Sequence, residues 1–155
     1  MDLLNGRVAI VTGGSREIAA AGAAVVIAHH NAPDLAAAVV GRISGAGGQA
    51  LAVQADLADV SANRRLVTQA VEAFGRLDIF VANAGLTMWG PFLEIEEATW
   101  ATVVDLNLKG SFFGAQAAAR QMIAQREAAP DDNYGGRIIF SSSVTGVVAV
   151  PNCAA

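Results

Sequence analysis

Short apolar runs alternate along this chain with segments whose apolar positions recur every three or four residues. Val8-Ala9-Ile10-Val11 is short, branched and followed by Gly13-Gly14, the pattern of a buried strand with a turn behind it. Ala23 to Ile27, Ala50-Leu51-Ala52-Val53, Asp78-Ile79-Phe80-Val81 and Arg137-Ile138-Ile139-Phe140 read the same way. Between them the spacing predicts helices. Leu35, Val39 and Ile43 share a face over residues 34–43. Leu66, Ala70 and Phe74 share another, with Arg64, Arg65 and Glu72 left wet, Ser61 placed to cap that helix and Gly75 to end it. Residues 97–125 carry one long helical pattern with Gly110 and Gly114 inside it, and 129–136 form a polar loop.

Strands alternating with helices imply a parallel sheet joined by right-handed crossovers, an α/β doubly wound fold of the Rossmann type. No repeat or linker interrupts residues 1–155, so a single domain is expected. In such sheets ligands bind beyond the carboxyl ends of the strands, where strand order reverses. Chemistry is therefore sought in the segments that follow strand ends.

Composition narrows the choice. Hydrophobic residues make up 54% of the 155, enough for a sheet buried on both faces. The formal net charge of −4 argues against a nucleic-acid partner, whose sites are normally basic. The longest apolar run, Ile18 to Ala28, falls short of the roughly 20 residues a membrane span needs. The first residues lack the pattern of a signal peptide, and the lone Cys153 excludes an internal disulfide, so a cytoplasmic location is expected. Cys153 reads as a small apolar residue rather than a catalytic thiol. His29-His30 reads as an exposed pair rather than a metal site, since no third ligand stands near in sequence.

Polar motifs fall where the cleft is expected. Thr12-Gly13-Gly14-Ser15-Arg16 follows the first strand, and glycines there let backbone amides approach a phosphate. Gln54-Ala55-Asp56-Leu57 closes the third strand, Val81-Ala82-Asn83-Ala84-Gly85 the fourth and Ile139-Phe140-Ser141-Ser142-Ser143 the fifth. Asp105-Leu106-Asn107-Leu108-Lys109-Gly110 lies inside the long helix. In this order and at this spacing, the motifs resemble those of the short-chain dehydrogenase/reductase family over the whole chain.

The resemblance implies five strands in the order 3-2-1-4-5, in a sheet incomplete at its C-terminal side. It implies that Gly13, Ser15 and Arg16 line the cofactor phosphates, and that Asp56 and Leu57 meet the adenine. Asn83, Ala84 and Gly85 border the adenosine ribose. Asn107 holds open a helix kink and supports a proton-relay water. Ser143 hydrogen-bonds the substrate oxygen, a role suited to a hydroxyl that both donates and accepts. It further implies hydride exchange between a nicotinamide cofactor and a secondary alcohol or ketone, as in a 3-oxoacyl-carrier-protein reductase or a sugar or polyol dehydrogenase. The long helix, with Phe112, Phe113, Ala115, Ala117, Ala118 and Ala119, would pair across the axis of a homodimer or homotetramer. Met88, Trp89 and Phe92 could border the substrate mouth, although at least two of them read better as core.

The sequence also departs from the family. The family's catalytic tyrosine and lysine are missing: Tyr134 and Lys109 stand in the wrong order and places, and the tyrosine, counted from Ser143, would fall one residue past Ala155. Glu17 and Ala19 replace two loop glycines. The first crossover is also short. A helix from Glu17 to Gly22 rises only about 9 Å, against about 17 Å for a five-residue strand. The spacing therefore predicts a break in covalent continuity after about Arg16. No carboxylate closes the second strand, which ends Ala28-His29-His30-Asn31, so NADP is favoured over NAD, with Arg16 as a further basic group. The rival reading is a non-catalytic nucleotide-binding or scaffold module.

Overall fold

The computed structural model describes residues 3–13, 22–132 and 135–153. Five parallel strands form one sheet in the order β3-β2-β1-β4-β5: β1 Val8–Thr12, β2 Ala24–His29, β3 Ala50–Gln54, β4 Ile79–Ala82 and β5 Arg137–Phe140. The expected order is the observed one. β1 is central, with Ile10 opposite Val26 on one side and Phe80 on the other. Every residue of β1 is buried, as its unbroken branched run requires of a strand covered on both faces.

Helix α1, Pro33–Gly45, covers one face of the sheet through Ile43, Val39 and Val40, against Ala9, Val25, Ile27, Ile79 and Val81. Leu35, expected on that buried face, is 70% exposed and lies on the wall of the cavity described below. Helix α2, Val60–Phe74, covers the other face through Leu66, Val67 and Ala70, and ends at Gly75 as expected. Its N-cap is Asp59, not Ser61: the Asp59 carboxylate accepts from the Ser61 amide at 2.8 Å and the Ser61 hydroxyl at 2.6 Å. The hydroxyl bond, then the amide bond, hold that carboxyl below the ordinary carboxylate range.

The expected long helix is three pieces: α3 Glu97–Val104, a π-helical stretch Asp105–Gly110, and α4 Ser111–Ala128. A π turn is rare, and here it holds the Asn107 motif. Gly114 brings α4 close to the sheet; a Cβ there would meet Phe80 Cζ at 2.7 Å and Asn63 Oδ1 at 2.8 Å. Ala115 and Ala118 are buried and Ala117 packs, partly exposed, against the same core. Phe112 stays exposed and meets Phe113 edge-on at 5.2 Å. β5 is far less covered than β1, with Ile139 and Phe140 more than half exposed.

Between β1 and β2 lie only residues 13–23, at the lower limit of roughly 10–12 for any parallel crossover. The predicted break after Arg16 lies outside the described residues.

At the foot of the sheet an ion cluster ties β1, β4 and the β5 approach together. The buried Asp78 carboxylate accepts from the Val8 amide at 2.9 Å and from Arg76 at 2.6 and 2.8 Å, and Arg76 also reaches Asp132 at 2.8 Å. These carboxylates, Asp78 first, push the Arg76 guanidinium further above its ordinary range. Nearby, Gln125 of α4 clasps the Leu77 backbone, accepting from its amide at 2.8 Å and donating to its carbonyl at 2.9 Å. Asp78→Ala leaves Arg76 its bond to Asp132 but unpairs the Val8 amide. It is expected to destabilise the fold by about 1–3 kcal/mol, read by urea unfolding; a loss below about 0.5 kcal/mol would show the cluster to be dispensable.

Candidate active site

The cleft opens where β1 and β4 part. Their ladder runs to Val11 opposite Val81, and beyond it the Thr12 side chain takes over. Thr12 Oγ1 donates to the Val81 carbonyl at 3.2 Å and accepts from the Asn83 and Ala84 amides, each at 2.9 Å. The Asn83 side chain returns a bond to the Thr12 carbonyl at 3.1 Å. Thr12 was not singled out from the sequence; its signal was a hydroxyl at the last position of an otherwise apolar strand. Gly13 follows with φ of 77°, and a Cβ there would meet Ala84 Cα at 2.7 Å, so glycine is required both for the turn and for the contact.

Beyond these strand ends lies a cavity of about 1060 Å³. Ile27, Ala28, Ala55 and Leu57 make its apolar part, and Gly13, Ala84, Gly85 and Leu106 border it on the β1 and β4 side. His29, His30 and Asn31 border it where β2 ends. Of the residues expected at a cofactor, Gly13, Leu57, Ala84 and Gly85 line this one cavity. Asp56 stands beside it, its carboxylate accepting from the Ala58 amide at 3.0 Å and lying 3.9 Å from His30 Nδ1. Ser15 and Arg16, expected at the phosphates, lie outside the described residues.

Asn107 sits in the π-helical stretch and clasps the Leu86 backbone. Its Oδ1 accepts from the Leu86 amide at 2.9 Å, and its Nδ2 donates to the Leu86 carbonyl at 2.8 Å. That couples the helix to the segment leaving β4. Lys109 pairs with Asp105 at 2.6 Å within the same stretch. Ser143 lies past the carboxyl end of β5 and caps the short turn Val144–Gly146, accepting from the Thr145 amide at 3.2 Å and the Thr145 hydroxyl at 2.9 Å. Met88, Trp89 and Phe92, read in part as core, are all exposed, Phe92 at 80%. They lie on the segment after β4, which Cys153 touches through a single bridge to Gly90. No metal-binding cluster of His, Cys, Asp and Glu occurs among the described residues.

A second cavity, of about 780 Å³, lies at the opposite end of the sheet among Arg76, Asp78, Met122, Gln125 and Asp132. Arg76, Asp78 and Asp132 in its wall are engaged with one another, as described above.

The family model for short chain dehydrogenases matches residues 7–155. This chain belongs to the short chain dehydrogenase family. Elsinochrome reductase 1 of Elsinoe fawcettii is 38% identical over 151 residues, covering 92% of this chain and 53% of the relative. L-rhamnose 1-dehydrogenase (NAD(P)(+)) of Azotobacter vinelandii is 39% identical over 157 residues, covering 94% of the chain and 59% of the relative. Those 157 aligned positions outnumber the 155 residues of the chain, so that dehydrogenase has residues within the matched stretch that have no counterpart here. The chain spans about half the length of the curated relatives it matches. Among solved structures, a short chain dehydrogenase from Burkholderia cenocepacia in complex with NADP superposes with a TM-score of 0.86 at 34% identity, covering 97% of this chain and 61% of that one.

The family's dinucleotide can be tested against these residues. The adenosine half fits: the cavity has apolar walls, a glycine approach and, at His29 Nδ1, a buried nitrogen without a partner among the described residues. Residues 14–21, where a pyrophosphate would be held, are outside the described set. The Asn107 clasp yields a prediction. Asn107→Ala should cost about 0.5–1.5 kcal/mol per lost bond, since water can reach the freed Leu86 groups, and speed exchange of the Leu86 amide. Asn107→Asp should keep the bond to that amide and lose the one to the carbonyl. Unchanged Leu86 exchange in the alanine variant would show that the clasp does not order this segment.

Proposed function

We propose that the protein carrying this chain is an oxidoreductase that exchanges a hydride between NADP, in preference to NAD, and a small secondary alcohol or ketone. The observation that carries the reading is the cavity beyond the ends of β1 to β4, in a chain whose relatives include a reductase and an NAD(P)-linked dehydrogenase. The bound nicotinamide cofactor supplies or accepts the hydride. Leu57, Ala84 and Gly85 would enclose its adenosine, with Asp56 at the adenine and Gly13 at the first phosphate. Asn83 would hold the ribose side of the cleft through its bonds to Thr12. Ser15 and Arg16 would complete the phosphate site.

Ser143 would donate a hydrogen bond to the substrate oxygen and so stabilise the charge that oxygen gains as a carbonyl is reduced. Asn107 would set the Leu86 segment against the reacting centre and hold a relay water. Trp89 and Phe92 would offer apolar surface to an aromatic or acyl substrate. The test is the full-length protein with NADPH and a panel of aromatic ketones, 3-oxoacyl thioesters and sugar-derived ketones. Loss of NADPH on at least one class is expected. Binding of NADPH without turnover on any, in both directions of reaction, would favour a nucleotide-binding module instead. Ser143→Ala should lower kcat by roughly 100-fold or more, as loss of an oxyanion donor does, and leave cofactor affinity nearly unchanged.

The assembly reading rests on Trp100, Leu108, Phe112 and Ile123, large apolar side chains left exposed along 97–125. They would be covered in a homodimer or homotetramer. Light scattering of the full-length protein at micromolar concentration should show at least a dimer, and Phe112→Glu should shift it toward monomer. A monomeric parent protein would refute this interface.

A further inference from the structure

The segment leaving β4 carries Met88, Trp89 and Phe92, all exposed, and it is tied at two points. The first tie is the Asn107 clasp on Leu86. At the second, the Gly90 amide donates to the Asn152 carbonyl at 2.9 Å, and Gly90 pairs with Cys153 in a parallel bridge. Pro91 follows Gly90 and favours there the extended backbone that a bridge requires. Met88 and Trp89 lie between the two ties.

The second tie comes from the chain that leaves Ser143. After the short turn Val144–Gly146 that chain turns again over residues 150–153. The Cys153 amide donates to the Val150 carbonyl at 3.3 Å, Pro151 stands second in the turn, and Asn152, standing third, has φ of 59°. This is the pattern of a type II turn, in which proline presets the second residue and the third must take a positive φ. Asn152 is the non-glycine residue with positive φ among the described residues. Asparagine tolerates the left-handed region, and a β-branched residue does not. The turn directs the Asn152 carbonyl to Gly90, so one backbone angle joins the segment of Trp89 to the segment of Ser143.

We propose that Asn152 is a positioning residue for substrate selection, whose left-handed turn fixes Trp89 relative to Ser143 so that a wide aromatic ketone lies on Trp89 with its oxygen at the Ser143 hydroxyl. This rests on the reading of Ser143 and Trp89 under the proposed function. A small ketone needs Ser143 alone and gains little from the tie. A wide one needs both segments at a set separation, and a misplacement of about 1 Å is enough to cost on the order of 100-fold in rate.

The test uses the full-length protein with NADPH, tetralone as the wide aromatic ketone and butanone as the small one. In Asn152→Val the Gly90 amide should exchange faster with solvent. The ratio of kcat/KM for tetralone over butanone should fall roughly tenfold or more, with NADPH affinity kept. Asn152→Ala should do the same in smaller measure, and Asn152→Gly, which keeps the turn, should restore both readouts. If the parent reduces tetralone alone, kcat/KM for tetralone falls by that factor in Asn152→Val and recovers in Asn152→Gly. An unchanged ratio, equal losses on both ketones, or a glycine variant that does not recover would overturn the role. A parent that reduces other carbonyl compounds but not tetralone would overturn it too, and would leave the reading of the site intact. A parent that binds NADPH and reduces nothing ends both.

Discussion

One hydroxyl, on Thr12, joins the two strands between which the cleft opens. Past Val11 and Val81 the β1–β4 ladder has run out, and the strand ends must separate if a ligand is to reach the sheet. Separation would leave backbone amides buried and unpaired, a cost most structures avoid. The Thr12 oxygen meets it by accepting from two successive amides, Asn83 and Ala84, while giving its proton to Val81. Its hydrogen-bonding capacity is then full. Valine has the same shape and could do none of this.

β4 is held at both ends by side-chain amides from one helical assembly. At its foot Gln125 clasps Leu77, and past its top Asn107 clasps Leu86. Each amide accepts from the N–H and donates to the C=O of a single residue, which sets position and orientation together. A strand that forms one wall of a cleft gains rigidity from such bonds.

Much of the fold was legible because the period of the apolar pattern changes at each junction. Val8 to Val11 and Ile79 to Val81 are unbroken branched runs, and only a strand buried on both faces accounts for them. The motifs that follow strand ends pointed beyond the sheet, and Gly13, Leu57, Ala84 and Gly85 line one cavity there. What could not be read were partnerships made in three dimensions. Asp59 displaced Ser61 as a cap because a carboxylate with two acceptors can hold an amide and a hydroxyl at once. Met88, Trp89 and Phe92 have core composition, yet the segment after β4 carries them outward. Of the alanines of α4, Ala115 and Ala118 pack on Phe80's side of the sheet.

The π-helical stretch sets the angular phase of everything after it. Each residue of an α-helix turns the chain by about 100°, and a π turn accommodates one residue more than an α turn. Asn107 faces the segment leaving β4, whereas Gly114 and Ala118 face the sheet and α2. Removing one residue between Asp105 and Gly110 would rotate the rest of α4 by about 100° relative to α3. Gly114 would leave Phe80 and Asn63, or Asn107 would leave Leu86. The widened turn thus lets one continuous helix serve two faces that a uniform α-helix would present out of alignment.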